Sequence, residues 1–258
     1  MKFWAHKVIS HYFQDFQYQS VCEIGSSKGE ATDILLKESN VRLTIIDPCF
    51  DTDLVAKYKN NSRVTVHKGL SLEVLLRLSE KFDCILIDGD HNWYSVFNEL
   101  KAINERGLLA DGGTIFFHDV GWPYGRRDMY YQPALVPSEY RQPHARKGIV
   151  AGQSELSLSS GINGCLDNAE IEGGKRNGVL TAIEDFLAEP MNDYLLFRFE
   201  AEFGLGVLVK TKGLKPRQAL VKWRLRSLKE NTIVQIKKFV RYRFPATFRL
   251  IKSAIRKK

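Results

Sequence analysis

The sequence predicts an α/β fold built on a doubly wound, mostly parallel sheet. Three observations lead there. Short apolar runs alternate with segments of helical spacing from residue 20 to residue 188. Two of the runs stop abruptly at ionisable groups: Cys84-Ile85-Leu86-Ile87 leads into Asp88, Asp90 and His91, and Thr114–Phe117 leads into His118 and Asp119. Runs of this kind suit strands buried on both faces, in mid-sheet. The last two runs, Tyr194–Phe199 and Gly206–Lys210, are joined by Glu200–Leu205, which is enough for an antiparallel hairpin and too short for a helical crossover. Together they describe a seven-stranded sheet whose last strand is reversed.

Length and composition agree. The 258 residues are enough for one large core or one core with additions, and 44% hydrophobic with 26% charged residues is ordinary for a globular protein. Cys22, Cys49, Cys84 and Cys165 form no CxxC pair, which argues against a zinc site or a disulfide framework and for reduced thiols in a cytosol. The N-terminal stretch lacks the apolar core of a secretory signal, and no run approaches the roughly 20 residues of a spanning helix. The net charge of +8 is unevenly placed: residues 211–258 hold 16 Lys+Arg against Glu230 alone, so residues 1–210 are net acidic. A split of this kind gives the tail a partner of its own, an anionic membrane or a nucleic acid.

Taken in order, residues 1–19 are aromatic and mixed, a helix lying against the sheet. Ser20–Gly25 is the first strand, and the turn Ser26–Gly29 opens a helix with Ala31, Ile34 and Leu35 on one face. The turn reads Glu23-x-Gly25-x-x-x-Gly29, which is neither the nicotinamide nor the phosphate-loop fingerprint. Its glycines let a ligand approach the backbone at the positive end of the helix. Arg42–Pro48 is the second strand and ends in Asp47, where a carboxylate can accept from both hydroxyls of a ribose. Arg63–Gly69 is the third strand, followed by a helix beginning with Leu72, Leu75 and Leu76.

Phe82–Ile87 is the fourth strand. Asp-Gly-Asp after it is good turn chemistry, and Asp90 or Asn92 can cap the helix that follows, so a structural role competes with a chemical one. Trp93, Val96, Phe97, Leu100 and Ile103 then recur at core helical spacing, and Gly107 ends the helix. Ala110–Gly113 is a turn and Thr114–Asp119 the fifth strand. Residues 122–177 lack periodicity and are long for a connection, so a lid is expected there. Arg126, Arg127, Tyr130, Tyr131 and Asn163 would give it a polar, aromatic wall suited to a polyhydroxylated acceptor. Val179–Ala188 is a helix, and the hairpin completes a domain of residues 1–210. The tail, 211–258, reads as two or three basic amphipathic helices interrupted at Pro245.

The glycine turn, Asp47, and the pair IDGDHNWYSVFNEL and LLADGGTIFFHD resemble the class I S-adenosylmethionine-dependent methyltransferases over roughly residues 20–210. The paired endings are most similar to the macrocin O-methyltransferase and cephalosporin hydroxylase-like branch. The resemblance implies a Rossmann-like fold. It implies that Glu23, Gly25, Ser26 and Gly29 surround the methionine part of the cofactor, Asp47 the ribose, and the Gly69-Leu70 turn the adenine. It further implies that Asp88 and Asp119 hold a divalent cation, magnesium in the members that use one, and that His91 is the general base. His118 stands where those members often have an acid, so it either joins the metal or sits behind it. The expected activity is O-methylation of a sugar or glycosylated metabolite. A phenolic natural product is the alternative acceptor, and a non-catalytic cofactor-binding module the alternative class. Retention of Asp88, His91 and Asp119 speaks against the latter. No aromatic-proline tetrad of the base-methylating kind is present, which ranks a nucleic-acid acceptor last. The tail is expected either to bind an anionic membrane from the cytoplasmic side, through Trp223, Phe239, Phe244 and Phe248, or to pack on residues 1–19 or on a second subunit.

Overall fold

The structure, a computed structural model, describes residues 1–190, 193–213 and 217–243. Helical turns α1 (Lys2–Trp4) and α2 (Ser10–Phe16) flank a π-helical stretch, Ala5–Ile9. Strands β1 (Ser20–Ile24), β2 (Arg42–Asp47), β3 (Val64–Lys68), β4 (Phe82–Ile87) and β5 (Leu109–His118) then alternate with α3 (Glu30–Glu38), α4 (Leu54–Tyr58), α5 (Ser71–Leu75) and α6 (Trp93–Glu105). An insertion carries β6 (Met129–Tyr130), β7 (His144–Ala145) and β8 (Asp167–Ala169). It is followed by α7 (Val179–Ala188), the hairpin β9 (Tyr194–Phe199) and β10 (Leu205–Lys210), and α8 (Arg217–Arg243).

The main sheet runs β3-β2-β1-β4-β5-β10-β9, parallel through β5, with β10 antiparallel to both of its neighbours. This is the seven-stranded, Rossmann-like sheet with reversed β10 that the pattern of runs implies. The strand order reverses direction on either side of β1, and β1 and β4 are adjacent. The ends of β1, β2 and β4 therefore open on the crevice where ligands bind in such sheets. Helix faces fill the two sides. Trp93, Val96, Leu100 and Ile103 pack with Val179, Ile183 and Phe186 on one side. Trp4, Ile9, Tyr12 and Phe13 pack on the other.

The structure departs from the sequence reading in several places. Helix α5 ends at Leu75, so Leu76 is its C-cap rather than one of its residues, and it is exposed while Val74 and Leu75 are buried. Ala110–Gly113 is not a free turn but a bulge inside β5. Phe82 pairs with Leu109 and Cys84 with Thr114, so β5 spends extra residues while its hydrogen bonding continues. Gly113 is required there, because a Cβ would lie 2.9 Å from the Asp83 carbonyl oxygen. The insertion is not structureless, since β6, β8 and β7 form a small sheet of their own. Helix α4, between β2 and β3, carries no clear signal in the sequence.

Within the described residues the tail is one helix rather than two or three. Of the two arrangements expected for Trp223 the structure has the packing on residues 1–19: the residue is fully buried there, not free for a lipid interface. Its ring lies 5.2 Å from Tyr12, and its Nε1–H donates to Asp15 at 2.8 Å, beside the Lys222 ion pair to the same carboxylate. Phe244, Pro245 and Phe248, and the side chain of Phe239, lie outside the described residues. No helix among the described residues is long and apolar enough to cross a membrane.

Removal of a buried indole leaves a cavity that its neighbours fill only partly. Trp223→Ala is expected to destabilise the full-length protein by about 3–5 kcal/mol in urea titration. A change below about 1 kcal/mol would mean that α8 is not seated in the core.

Candidate active site

The first wall of the site is the glycine turn after β1. Gly25 has φ +80° and lies so close to the β4 turn that a Cβ would stand 2.3 Å from Gly89 Cα. Only glycine lets β1 and β4 end side by side here. Asp47, at the end of β2, holds the turn: its Oδ2 accepts from Ser26 N at 2.8 Å and Ser27 N at 2.9 Å, and its Oδ1 from Cys49 N at 2.6 Å. Oδ2 is filled by its two donors, but Oδ1 keeps a second lone pair, so the carboxylate can brace the turn and still accept from a ligand hydroxyl.

Glu23 and Ser26 stand behind this wall. Ser26 Oγ donates to Glu23 Oε2 at 2.8 Å, and Thr32 donates to the same oxygen. Burial pushes the Glu23 carboxyl up to about 7, against the lowering effect of those hydroxyls. Gly29, with φ +75°, starts α3 and faces Tyr58.

A cavity of about 400 Å³ opens in front of the wall. Gly25, Ser27, Asp47, Leu70, Asp88 and Asp90 line its floor, and Tyr130, Tyr131, Gln132 and Leu135 of the insertion cover it. Of the cofactor residues expected from the sequence, Gly25, Asp47, Leu70 and Asp88 face this space. Glu23, Ser26 and Gly29 shape it from outside. Ser27 and Ser71 also line it and were not singled out by sequence, and so do Asp90 and Asn92, which the sequence placed at the strand end without a cofactor role. Asn92 caps α6, accepting from Ser95 N at 2.9 Å, and Asp90 accepts from Ser95 Oγ at 2.8 Å. The capping role weighed for Asp90 or Asn92 therefore falls to Asn92, with Asp90 beside it on the Ser95 hydroxyl.

At one end of the cavity Asp88 enters a second group. Because β4 and β5 pair in register, Ile87 against Phe117, the residues that follow them meet. One ligand atom from each of Asp88, His91, His118 and Asp119 lies within 4.8 Å of the others. His118 Nδ1 is 3.0 Å from Asp88 Oδ1 and 3.3 Å from Asp119 Oδ2. His91 Nε2 is 3.1 Å from Asp119 Oδ2 and 3.5 Å from Asp88 Oδ1. Those distances permit charge attraction, but the angles are poor, and neither ring nitrogen of His91 has a hydrogen-bond partner. Asp119 is held at φ +58°, a left-handed conformation uncommon outside glycine and of the kind that collects at functional sites. Met1 also reaches the group, its amine 2.8 Å from Asp88 Oδ2.

The electrostatics are those of mutual neutralisation. Burial opposes charge on Asp88, but His118 and His91 beside it hold its carboxyl well below the usual range. Burial likewise opposes charge on His118, yet Asp119 and Asp88 raise it to about 9. His91 is raised in the same way, chiefly by the Asp119 charge acting against burial.

The insertion completes the site, in part with Tyr124 and Asp128, which sequence reasoning did not find. The Tyr124 ring stacks on His91 at 5.7 Å and 4° between planes, with Tyr131 6.1 Å away on the same imidazole. Buried Asp128 ties the parts together. It accepts from Trp93 N at 2.7 Å, Gly178 N at 2.6 Å and Tyr130 Oη at 2.8 Å, so one carboxylate joins α6, α7 and the cavity roof. A short polar residue in a loop gives no sequence signal for such a role. Of the expected acceptor residues, Tyr130 and Tyr131 line the cavity. Arg126 and Arg127 do not. Arg126 pairs with Glu184 of α7 at 2.6 Å. The fully buried Arg127 donates to the carbonyl oxygens of Ala169 and Ser154 inside the insertion.

Residues 22–120, from β1 through the end of β5, match a family model described as a methyltransferase domain. The chain carries a methyltransferase domain. The matched stretch contains the glycine turn, Asp47 and all four members of the His–carboxylate group, and the reversed β10 completes the sheet. The stretch that matches is an enzyme domain, a methyltransferase. No curated protein sequence matches the chain. Among solved structures it is similar to a caffeoyl-CoA O-methyltransferase candidate from Staphylococcus aureus, at 16% identity and TM-score 0.49, covering 79% of this chain and 81% of that one. It is similar also to the S-adenosylhomocysteine-bound methyltransferase PaMTH1 of Podospora anserina, at 16% identity and TM-score 0.48, covering 78% and 75%. At that level the likeness is one of overall fold, and the assignment does not rest on it.

Glu99 gives a test of the packing behind the cavity. It is fully buried on α6, accepts from Ser71 Oγ at 2.5 Å, and burial pushes its carboxyl up to about 8. A carboxyl raised on folding stays protonated in the native state while the unfolded chain ionises. Its contribution is therefore complete below about pH 4.3, the ordinary value of an unfolded glutamate, and is lost as pH rises through the native value. Thermal stability is expected to fall between pH 5 and 8, and Glu99→Gln is expected to flatten that fall. An unchanged slope in the variant would place the ionisation elsewhere.

Proposed function

We propose that this enzyme transfers a methyl group from S-adenosylmethionine to a hydroxyl of a sugar or glycosylated metabolite, in the manner of the macrocin O-methyltransferase branch. One observation carries the reading: a cavity of nucleoside-cofactor size and a buried His–carboxylate group meet at a shared residue, Asp88. S-adenosylmethionine, when bound, supplies a methyl group on a sulfonium centre. Asp47 would accept from the ribose hydroxyls, Gly25 would let the methionine part lie against the backbone, and Leu70 and Ser71 would border the adenine. Glu23 and Ser26 keep the turn in shape.

His91 would take the proton of the acceptor hydroxyl. Its ring nitrogens are unpartnered, and the carboxylates of Asp119 and Asp88 would stabilise the imidazolium that forms. Tyr124 fixes the ring plane by stacking. The donor set also fits a divalent cation, held by Asp88, Asp119 and His118. Such a cation would acidify the hydroxyl, and the imidazole suits a first-row transition ion as well as magnesium. On the acceptor side, Tyr131, Gln132 and the Asn163–Tyr124 hydrogen bond of 2.7 Å present polar groups that suit a polyhydroxylated molecule. A phenolic acceptor is the second reading, favoured by Tyr124 and Tyr131, whose faces would also receive an aromatic ring. The insertion would act as the lid over either.

Calorimetry with S-adenosylhomocysteine is expected to show one site, weakened by roughly 1–3 kcal/mol in Asp47→Ala. Unchanged affinity would remove Asp47 from the cofactor site. With labelled cofactor and a panel of glycosides and phenols, His91→Ala is expected to lower kcat by about 100-fold. Chelation is expected to suppress turnover until a divalent cation is restored. Full activity in His91→Ala would end its assignment as the base, and full activity in chelator would end the assignment of a metal.

A further inference from the structure

We propose that the outward face of α8 is a docking surface for an anionic lipid bilayer. The rotation of the helix is fixed. Trp223 and Ser227 are buried, and Asn231 accepts from Glu200 N at 2.8 Å and donates to the Arg198 carbonyl at 2.7 Å. These three residues, four apart, form the row that faces the protein.

At 100° per residue, Val221, Leu225, Leu228 and Ile236 form a second row, centred about 140° round the helix from the first. All four are more than half exposed, between 56% and 61%. An apolar row of this size on one helix is not left over from core packing, because the core contacts of α8 belong to the other row. Beside it run Lys222 and Lys229 on one side and Arg224 on the other, and Glu230 is the only acid in residues 211–258, against 16 cations. Lys222 keeps 60% of its side chain exposed while paired with Asp15. The Arg226 guanidinium lies over the Trp223 ring at 4.7 Å and donates to the Lys7 carbonyl oxygen at 3.1 Å, so this cation braces the helix against the protein.

An apolar stripe flanked by cations is the pattern that lies in the interface of an anionic bilayer, with side chains among the acyl ends and charges at the headgroups. A second copy of the chain would set one strongly basic face against another. A nucleic acid would use the cations and leave the apolar row in water. The bilayer satisfies both rows at once.

The surface also reaches the site. The Glu200 end of the β9–β10 connection is bonded to Asn231 and to Gln235, and the same connection carries Phe203, whose ring lies 6.3 Å from His118. Given the proposed O-methyl transfer, the enzyme would meet a hydroxylated acceptor presented at a lipid surface.

The test is co-sedimentation of the full-length protein with phosphatidylcholine vesicles, with and without phosphatidylglycerol. Binding is expected to be at least about tenfold tighter to the anionic vesicles and to weaken with salt. The double variant Leu225→Gln/Leu228→Gln, changed only at exposed positions, is expected to lose about tenfold of that affinity, with its melting temperature and S-adenosylhomocysteine binding unchanged. No vesicle binding, equal binding to neutral vesicles, or wild-type binding by the double variant would overturn the proposal. So would tighter binding to duplex DNA or RNA than to vesicles, or self-association that the variant abolishes. Each of these results leaves the methyl-transfer reading standing if cofactor binding is intact. That reading fails separately, through loss of cofactor binding or turnover.

Discussion

The constraint on which the site depends is the register between β4 and β5. Parallel neighbours lie ~4.8 Å apart, so residues level with each other at their ends are within reach of one small ligand. Ile87 pairs with Phe117, and the next residues on each strand are Asp88 and then His118 and Asp119. A slip of one residue would turn every side chain to the other face and separate the carboxylates. The bulge at Ala110–Gly113 takes up the extra residues of β5 early, before Thr114, and so protects the pairing at the strand end. Thr114 is itself pinned by the Tyr18 hydroxyl at 2.7 Å, which brings the N-terminal segment into the same arrangement.

The rest of the molecule brings the two halves of the site to that strand end. Gly25 allows β1 to end against Gly89, so the cavity and the His–carboxylate group share a border instead of lying on separate loops. Asp47 supports the turn on one side. Asp128 supports the roof on the other, buried and holding its hydrogen bonds against a rise in its carboxyl to about 6. A buried carboxylate with three donors is well satisfied, and removing any donor leaves an expensive charge. The insertion is thus fastened to α6 and α7 at their starts while its Tyr130–Leu135 segment lies over the cavity.

Much of this was legible in the sequence, because strand ends are local. Runs such as CILI followed by acids fix both the strand and the point where it stops. Glu23-x-Gly25 and Asp47 mark the neighbouring turns, and the short hairpin connection dictates the reversed strand. What could not be read was set by contacts distant in sequence. Tyr124 faces His91 only because the insertion folds back. Arg127 looks like a surface cation in a polar loop, yet it is buried to hold the loop's own carbonyls. Trp223 belongs to the core because Asp15 and Tyr12 lie more than 200 residues earlier. In the glycine turn, position alone could not say that Ser27 faces the cavity while Ser26 turns back to Glu23.

The central claim is that cofactor and acceptor meet at Asp88, between the cavity and the His–carboxylate group. The most direct measurement is a crystal structure of the full-length enzyme with S-adenosylhomocysteine. The account predicts the adenosine in the cavity lined by Asp47 and Leu70, with its sulfur facing Asp88 and His91. A cofactor bound elsewhere, or one whose sulfur points away from that group, would contradict it.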